Sequence, residues 1–302
     1  MREHSDTREV LSSMKILVTG ASGQLGYDCV RDLTRRGHQV RGVSSRELPL
    51  TEPDKVREYI EAYHPQAVVH CAAYTAVDKA EDEPELARAV NAAGTQAVAE
   101  ACAAVGAKMI YISTDYVFPG DGDTAYEPDA PKGPLNVYGQ TKLDGELAVQ
   151  RALDHYFIVR ISWVFGRNGN NFIRTMLRLS ETHDELTVVD DQVGSPTYTY
   201  DLARLLGDMA ESDSYGVYQA TNEGFCSWAE FAAEIFRQAG RATHVTPVPS
   251  SAYPTKARRP HNSRMSKACL DQAGFQRLPR WQDAVGRYLT ELGVSMADSC
   301  MR

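Results

Sequence analysis

The chain has 302 residues, 43% hydrophobic and 24% charged, a composition that fits a folded globular protein and excludes general disorder. Its length accommodates about two domains, or one α/β unit with an appended lobe. A formal net charge of -8 argues against a protein that coats nucleic acid, and no apolar run of about 18 residues is present to span a membrane.

Residues 1–13 carry charges and no apolar stretch, so they read as a disordered N-terminal extension, not a secretory signal. Regular patterning starts at Lys15. Five short β-like runs follow: KILVT (15–19), HQVRGV (38–43), QAVVH (66–70), AKMIYIST (107–114) and YFIVRIS (156–162). Between them lie a helical stretch ending at Arg36, a helix at about 53–63, an Ala-rich helix at about 84–105 and another at about 138–154. This alternation predicts an α/β fold, a Rossmann-like doubly wound parallel sheet over residues 14–165.

After Phe165 the alternation loosens. A helix near 170–180 precedes the strand-like GVYQA (216–220), and Ser227 with Glu230 has capping-box spacing for a helix to about 239. A proline-broken stretch (247–260) leads to a last helix near 280–292. Residues 166–302 are expected to form a smaller mixed α/β substrate lobe, with elements returning to the first domain.

Gly20, Gly23 and Gly26 sit where the first strand meets the first helix, with Gln24 and Leu25 between the last two. In that context the glycines allow a tight turn, close approach of phosphate and close helix–strand packing, with pyrophosphate at the helix N-terminus. After the second strand an NAD site usually places an acid for the ribose hydroxyls. Here Ser45 and Arg46 stand ready for a 2′-phosphate, which favours NADPH over NADH, although Glu47 is close enough to reverse that preference.

Tyr138 and Lys142 lie four apart, on one face of a helix. An ammonium beside a phenol favours the phenolate and is expected to lower the Tyr138 pKa, making it a proton donor to a carbonyl that receives hydride. Thr114 ends the preceding strand on the ligand-binding side of such folds, where its hydroxyl can steady an alkoxide. The six cysteines, at 29, 71, 102, 226, 269 and 300, have no C-x-x-C spacing and read as core fillers in a reducing compartment, the cytoplasm. His70 reads as a packed neutral residue, and the other histidines have no metal-site spacing.

The segments TGASGQLG (19–26), HCAAYTAVDKAE (70–81), YISTDYVFPG (111–120), YGQTK (138–142), VRISWVFG (159–166), DDQVGSPTYTYDLA (190–203) and RRPHNSRM (258–265) run in order over nearly the whole chain. In them the chain resembles the dTDP-4-dehydrorhamnose reductases, a family of extended short-chain dehydrogenase/reductases. The resemblance implies reduction of the C4 ketone of dTDP-4-dehydro-β-L-rhamnose. It makes Tyr138 the acid, Lys142 the residue that holds the nicotinamide ribose and tunes the tyrosine, and Thr114 the third member. It also implies that Ala72, Ala73 and Tyr74 border the nicotinamide, that Asp115 and Tyr116 line the sugar, and that Asn91 is a structural asparagine.

Trp163 is expected against the deoxysugar, its alternative being a core anchor. Arg264 is the preferred diphosphate ligand, and Arg259 is either a second one or a structural ion-pair partner. The family's usual acid after the second strand is Pro49 here, within Leu48-Pro49-Leu50-Thr51-Glu52. Some members are associated with magnesium at a homodimer interface, for which Glu291 is a candidate without an obvious full ligand set. Two other readings share the scaffold: a nucleotide-sugar epimerase or dehydratase, and a non-catalytic regulatory subunit. Thr114-Asp115-Tyr116 lacks the second acid of a dehydratase, and an intact Thr114, Tyr138 and Lys142 argues against the subunit.

Overall fold

The structure, a computed structural model, describes residues 13–294. Nearly all of the expected N-terminal extension, and Cys300, lie outside the described residues. Five strands, β1 (Lys15–Thr19), β2 (Gln39–Val43), β3 (Ala67–His70), β4 (Lys108–Thr114) and β5 (Tyr156–Ile161), share one parallel sheet with the Gly216–Gln219 strand. Its order is β2, β1, β3, β4, β5, then Gly216–Gln219. The sixth strand therefore comes from beyond residue 166 and extends the sheet at its edge.

The inner strands β1, β3, β4 and β5 are buried on both faces, and the two-residue period divides their side chains between two cores. Ile16, Val18, Val69, Ile110 and Val159 point toward the Gln24–Arg35 and Thr199–Ala210 helices. Leu17, Val68, Met109, Tyr111 and Ile158 point the other way, toward the Pro53–Tyr63, Thr95–Val105 and Val137–Ala152 helices. Helices on both faces make the sheet doubly wound. A third core, built on Phe165, Phe231, Trp281 and Tyr288, fills the C-terminal region. There the Glu185–Val189 and His244–Val248 strands pair in parallel.

The capping box is present: the Ser227 hydroxyl accepts from the Glu230 amide, and the Glu230 carboxylate accepts from the Ser227 amide. The helix expected over 84–105 is a correction. It runs as an α-helix over Pro84–Arg88, widens to a π-helix over Ala89–Gly94 and resumes at Thr95. The wide turn holds Asn91, which is buried and bonds both polar groups of the Tyr74 backbone and the Thr141 hydroxyl. Gly94 is pressed against Leu50, where a Cβ would lie 2.7 Å from the leucine carbonyl. These contacts compensate the poorer geometry of the π turn.

Candidate active site

The strand order reverses between β1 and β3, and ligands of open α/β sheets bind at such a switch point, beyond the carboxyl ends. The Gly20–Gly26 loop leaves β1 there, and Ala72 to Tyr74 leave β3 beside it. Gly20 has φ +67, and a Cβ on it would lie 2.8 Å from the Ala72 amide nitrogen. The Gly23 amide donates to the Gly20 carbonyl at 2.9 Å, closing the turn. A Cβ on Gly26 would meet the same carbonyl oxygen at 2.2 Å. The helix that follows has no side-chain cap and no acid in its first turn, which suits a bound anion.

Leu25 is buried in the core, so only its backbone faces the loop. The Gln24 side chain accepts from Asn171, and Asn168 donates to the Ser22 carbonyl, so residues 168–171 sit over the glycine loop. Tyr74 directs its hydroxyl to Glu83 at 2.8 Å while its backbone stays at the site. The Glu47 carboxylate is occupied by the Ser44 amide and hydroxyl and by Arg41. Ser45 and Arg46 are exposed beside it. His70, bridged between the hydroxyls of Thr19 and Thr95, is held neutral: burial pushes it down to about 3.

Thr114 closes β4, and its hydroxyl donates to Asp115 at 2.9 Å and accepts from the Tyr116 amide. Asn136 caps the Val137–Ala152 helix, accepting from the Gly139 amide at 2.8 Å, and Tyr138 and Lys142 follow on its first turns. Gly139 lets this helix start against the 114–117 turn, because a Cβ there would lie 2.3 Å from the Tyr116 carbonyl oxygen. The Tyr138 ring packs edge-on to Tyr116 at 5.7 Å between centroids.

The expected lowering of the Tyr138 pKa is not found. Burial raises it, Asp115 and Tyr116 add to the rise, and the Thr114 hydroxyl opposes it. Lys142 points instead over the Tyr111 ring at 4.2 Å, and its own burial pushes it down to about 7. Asp115 is buried as well. Burial lifts it to about 6, opposed by nearby hydroxyls of Ser263 and Thr114, and its Oδ2 has no hydrogen-bond partner among the described residues.

Arg259 donates to the Tyr116 hydroxyl at 3.2 Å and to Asp78 at 2.7 Å. Asp78, which sequence patterning shows only as part of an acidic helix start, also accepts from the Ala257 amide. Asn136 donates to the Arg258 carbonyl, so segment 257–260 is tied to the start of the Val137–Ala152 helix. Arg264 is half-buried and bonded to Asn262 at 3.0 Å. Trp163 adopts φ +49, stacks on Trp228 at 3.7 Å and packs, half-buried, against the third core.

Glu291 accepts from the Tyr198 hydroxyl at 2.7 Å and faces Arg31 and Arg167, each at 3.6 Å. Within the single chain this carboxylate is thus met by two guanidinium groups.

Three comparisons place these features among known proteins. A family model described as the RmlD substrate binding domain matches residues 14–294. A dTDP-4-dehydrorhamnose reductase of Escherichia coli K12 is 41% identical over 94% of this chain and 100% of its own. One from Streptomyces griseus is 44% identical over 89% and 91%. A crystal structure of dTDP-4-dehydrorhamnose reductase from Bacillus anthracis in complex with NADP superimposes with a TM-score of 0.90, at 39% identity over 92% of this chain and 99% of that one. The chain belongs to the dTDP-4-dehydrorhamnose reductase family.

Proposed function

We propose that this chain reduces the C4 ketone of dTDP-4-dehydro-β-L-rhamnose to the alcohol of dTDP-β-L-rhamnose. The observation that supports the reading most directly is the packing of Tyr138, at the start of its helix, against Tyr116 in the turn that follows Thr114 at the carboxyl end of β4. NADPH, when bound, supplies the hydride. The phenol of Tyr138 gives the ketone oxygen its proton, and a raised pKa keeps that phenol in the acid form the reduction needs. Thr114 hydrogen-bonds the developing alkoxide. Lys142 holds the nicotinamide ribose, with Gly20, Gly23 and Gly26 around the pyrophosphate. The free Oδ2 of Asp115 accepts from a sugar hydroxyl, beside Tyr116. Arg264 serves the diphosphate, while Arg259 orients Tyr116.

The test is loss of nicotinamide absorbance when the purified protein meets enzymatically made ketosugar and NADPH, with the product identified by its mass gain of two hydrogens. No oxidation by a protein that still binds the dinucleotide overturns the reading. Cofactor choice has its own expected result. Arg46→Ala should raise the KM for NADPH about 10- to 100-fold, the worth of a charge-assisted hydrogen bond, and leave NADH little changed. Equal losses with both cofactors would make Arg46 an ordinary surface residue. Because Arg31 and Arg167 already neutralise Glu291, EDTA should leave the initial rate within about twofold, less than the roughly tenfold loss that marks even a perturbed metal site. Loss of rate on chelation, restored by magnesium, would refute the proposal that no metal is needed.

A further inference from the structure

Tyr138 and Lys142 do not complete the inward stripe of the Val137–Ala152 helix. One turn further on is Glu146, whose side chain is 3% exposed. Its carboxylate receives two bonds from Arg160 on β5, Nε to Oε1 at 2.8 Å and Nη2 to Oε2 at 2.7 Å. A third comes from the Ser113 hydroxyl on β4, at 2.5 Å. Arg160, equally buried, gives its remaining arm to the Pro128 carbonyl and lies over the Phe118 ring. The residue after Ser113 is Thr114, and the residue four before Glu146 is Lys142. One carboxylate thus joins the strand that carries the catalytic hydroxyl to the helix that carries the acid and the ammonium.

Stability alone does not account for this pair. A buried, fully bonded ion pair is about as stable as a well-packed apolar pair of the same volume, and often less so. What an apolar pair lacks is a negative charge within one helical turn of Lys142. The other groups near the ammonium supply little charge: Cys71 and His70 at the end of β3, and Tyr111 beneath it on β4. Around Glu146 itself stand Arg160, Ser113, Tyr111 and the half-buried Lys132. We infer that Glu146, clamped by Arg160 and Ser113, is a positioning residue that supplies the countercharge for Lys142 and sets the catalytic helix against β4.

This inference rests on the reductase reading, so its test needs one measurement that does not. Burial lowers Lys142 and Glu146 opposes that fall, leaving it at about 7. Reduction requires the ammonium, so kcat/KM of the native enzyme should decline above roughly that pH. Glu146→Gln keeps the shape of the clamp but removes the anion and leaves the Arg160 cation uncompensated. Both changes disfavour the ammonium. The alkaline limb should move to lower pH by about one unit or more, with kcat falling more than KM changes. The double variant Glu146→Gln/Arg160→Met removes both charges, and its limb should return part of the way even though packing is not restored.

The independent readout is the titration of Lys142 in protein labelled at lysine Cε, its resonance assigned by loss in Lys142→Arg. It should shift in the same order: native highest, double variant between, Glu146→Gln lowest. If Glu146→Gln fails to fold, the charge-neutral double variant against native protein still decides the question. Coincident Lys142 titrations in all folded variants would overturn the inference and leave the pair as a structural strut. Ordered titrations without turnover in any variant would instead uphold the inference about Lys142 and overturn the reductase reading.

Discussion

Tyr138→Phe should lower kcat/KM for reduction of the ketosugar by at least about 100-fold while dinucleotide binding stays within a few-fold of native. Burial raises the pKa of the phenol and keeps it protonated at neutral pH, and the other candidates for proton delivery are unsuited. Asp115, lifted to about 6, is largely ionised at neutral pH, and Lys142 is directed over the Tyr111 ring. The substitution removes one oxygen and keeps the ring that packs edge-on to Tyr116, so the fold and the cofactor cradle are preserved. The measurement is nicotinamide oxidation under kcat/KM conditions, paired with fluorescence titration of NADPH. A loss below tenfold would show that the proton comes from elsewhere, and equal loss of binding would show that the change is structural. The companion substitution Thr114→Ala should act in the same direction but less severely, because it removes a stabiliser of the alkoxide and not the proton source.

A second large effect is expected from Gly26→Ala. The added carbon would lie 2.2 Å from the Gly20 carbonyl oxygen, 2.7 Å from its carbon and 2.9 Å from the Ala21 Cα. All three are backbone atoms, so no side chain can turn aside and the loop or the helix must move. Overpacking of this kind costs about 1–3 kcal/mol or more. Displacing the amides that would meet a pyrophosphate removes several charge-assisted bonds at once, and NADPH affinity should fall at least about 100-fold. Gly23→Ala offers the contrast, since its nearest contact would be 3.2 Å, at a φ of -82 that alanine accepts. Melting curves and NADPH titrations of the two variants check this directly. If Gly26→Ala binds NADPH as the native protein does, the loop is not a dinucleotide cradle.

Where residues lie close together in the chain, spacing alone shows that they meet. Gly20, Gly23 and Gly26 span a single turn, and Tyr138 with Lys142 span one turn of a helix, so local geometry forces each group together whatever the rest of the chain does. The five strands that build most of the sheet, and the division of their side chains between two cores, follow from the same short periods. The helix interrupted at Asn91 was not legible. Its π turn is held by Tyr74, Thr141 and Leu50, and residues 17 and 50 positions away leave no trace in the local pattern.

The directions of side chains were decided in the folded molecule. Four-residue spacing put Lys142 beside Tyr138, but the sheet beneath the helix turned its ammonium onto Tyr111, and burial lowered its pKa. Glu146 belongs to the same helical stripe, yet its meaning depends on Arg160 and Ser113, which only strand pairing brings to it. Asp78 and Arg259 are 181 residues apart, and Trp163, which follows β5, finds Trp228 65 residues later. By itself the sequence determined the parallel scaffold, the glycine turn and the placing of Tyr138 and Lys142 on one helix, because those depend on contacts within a few residues. Only the tertiary structure decided which charges face one another, how far each is desolvated, and that Glu291 meets arginines, because those depend on distances that the chain closes only when it folds.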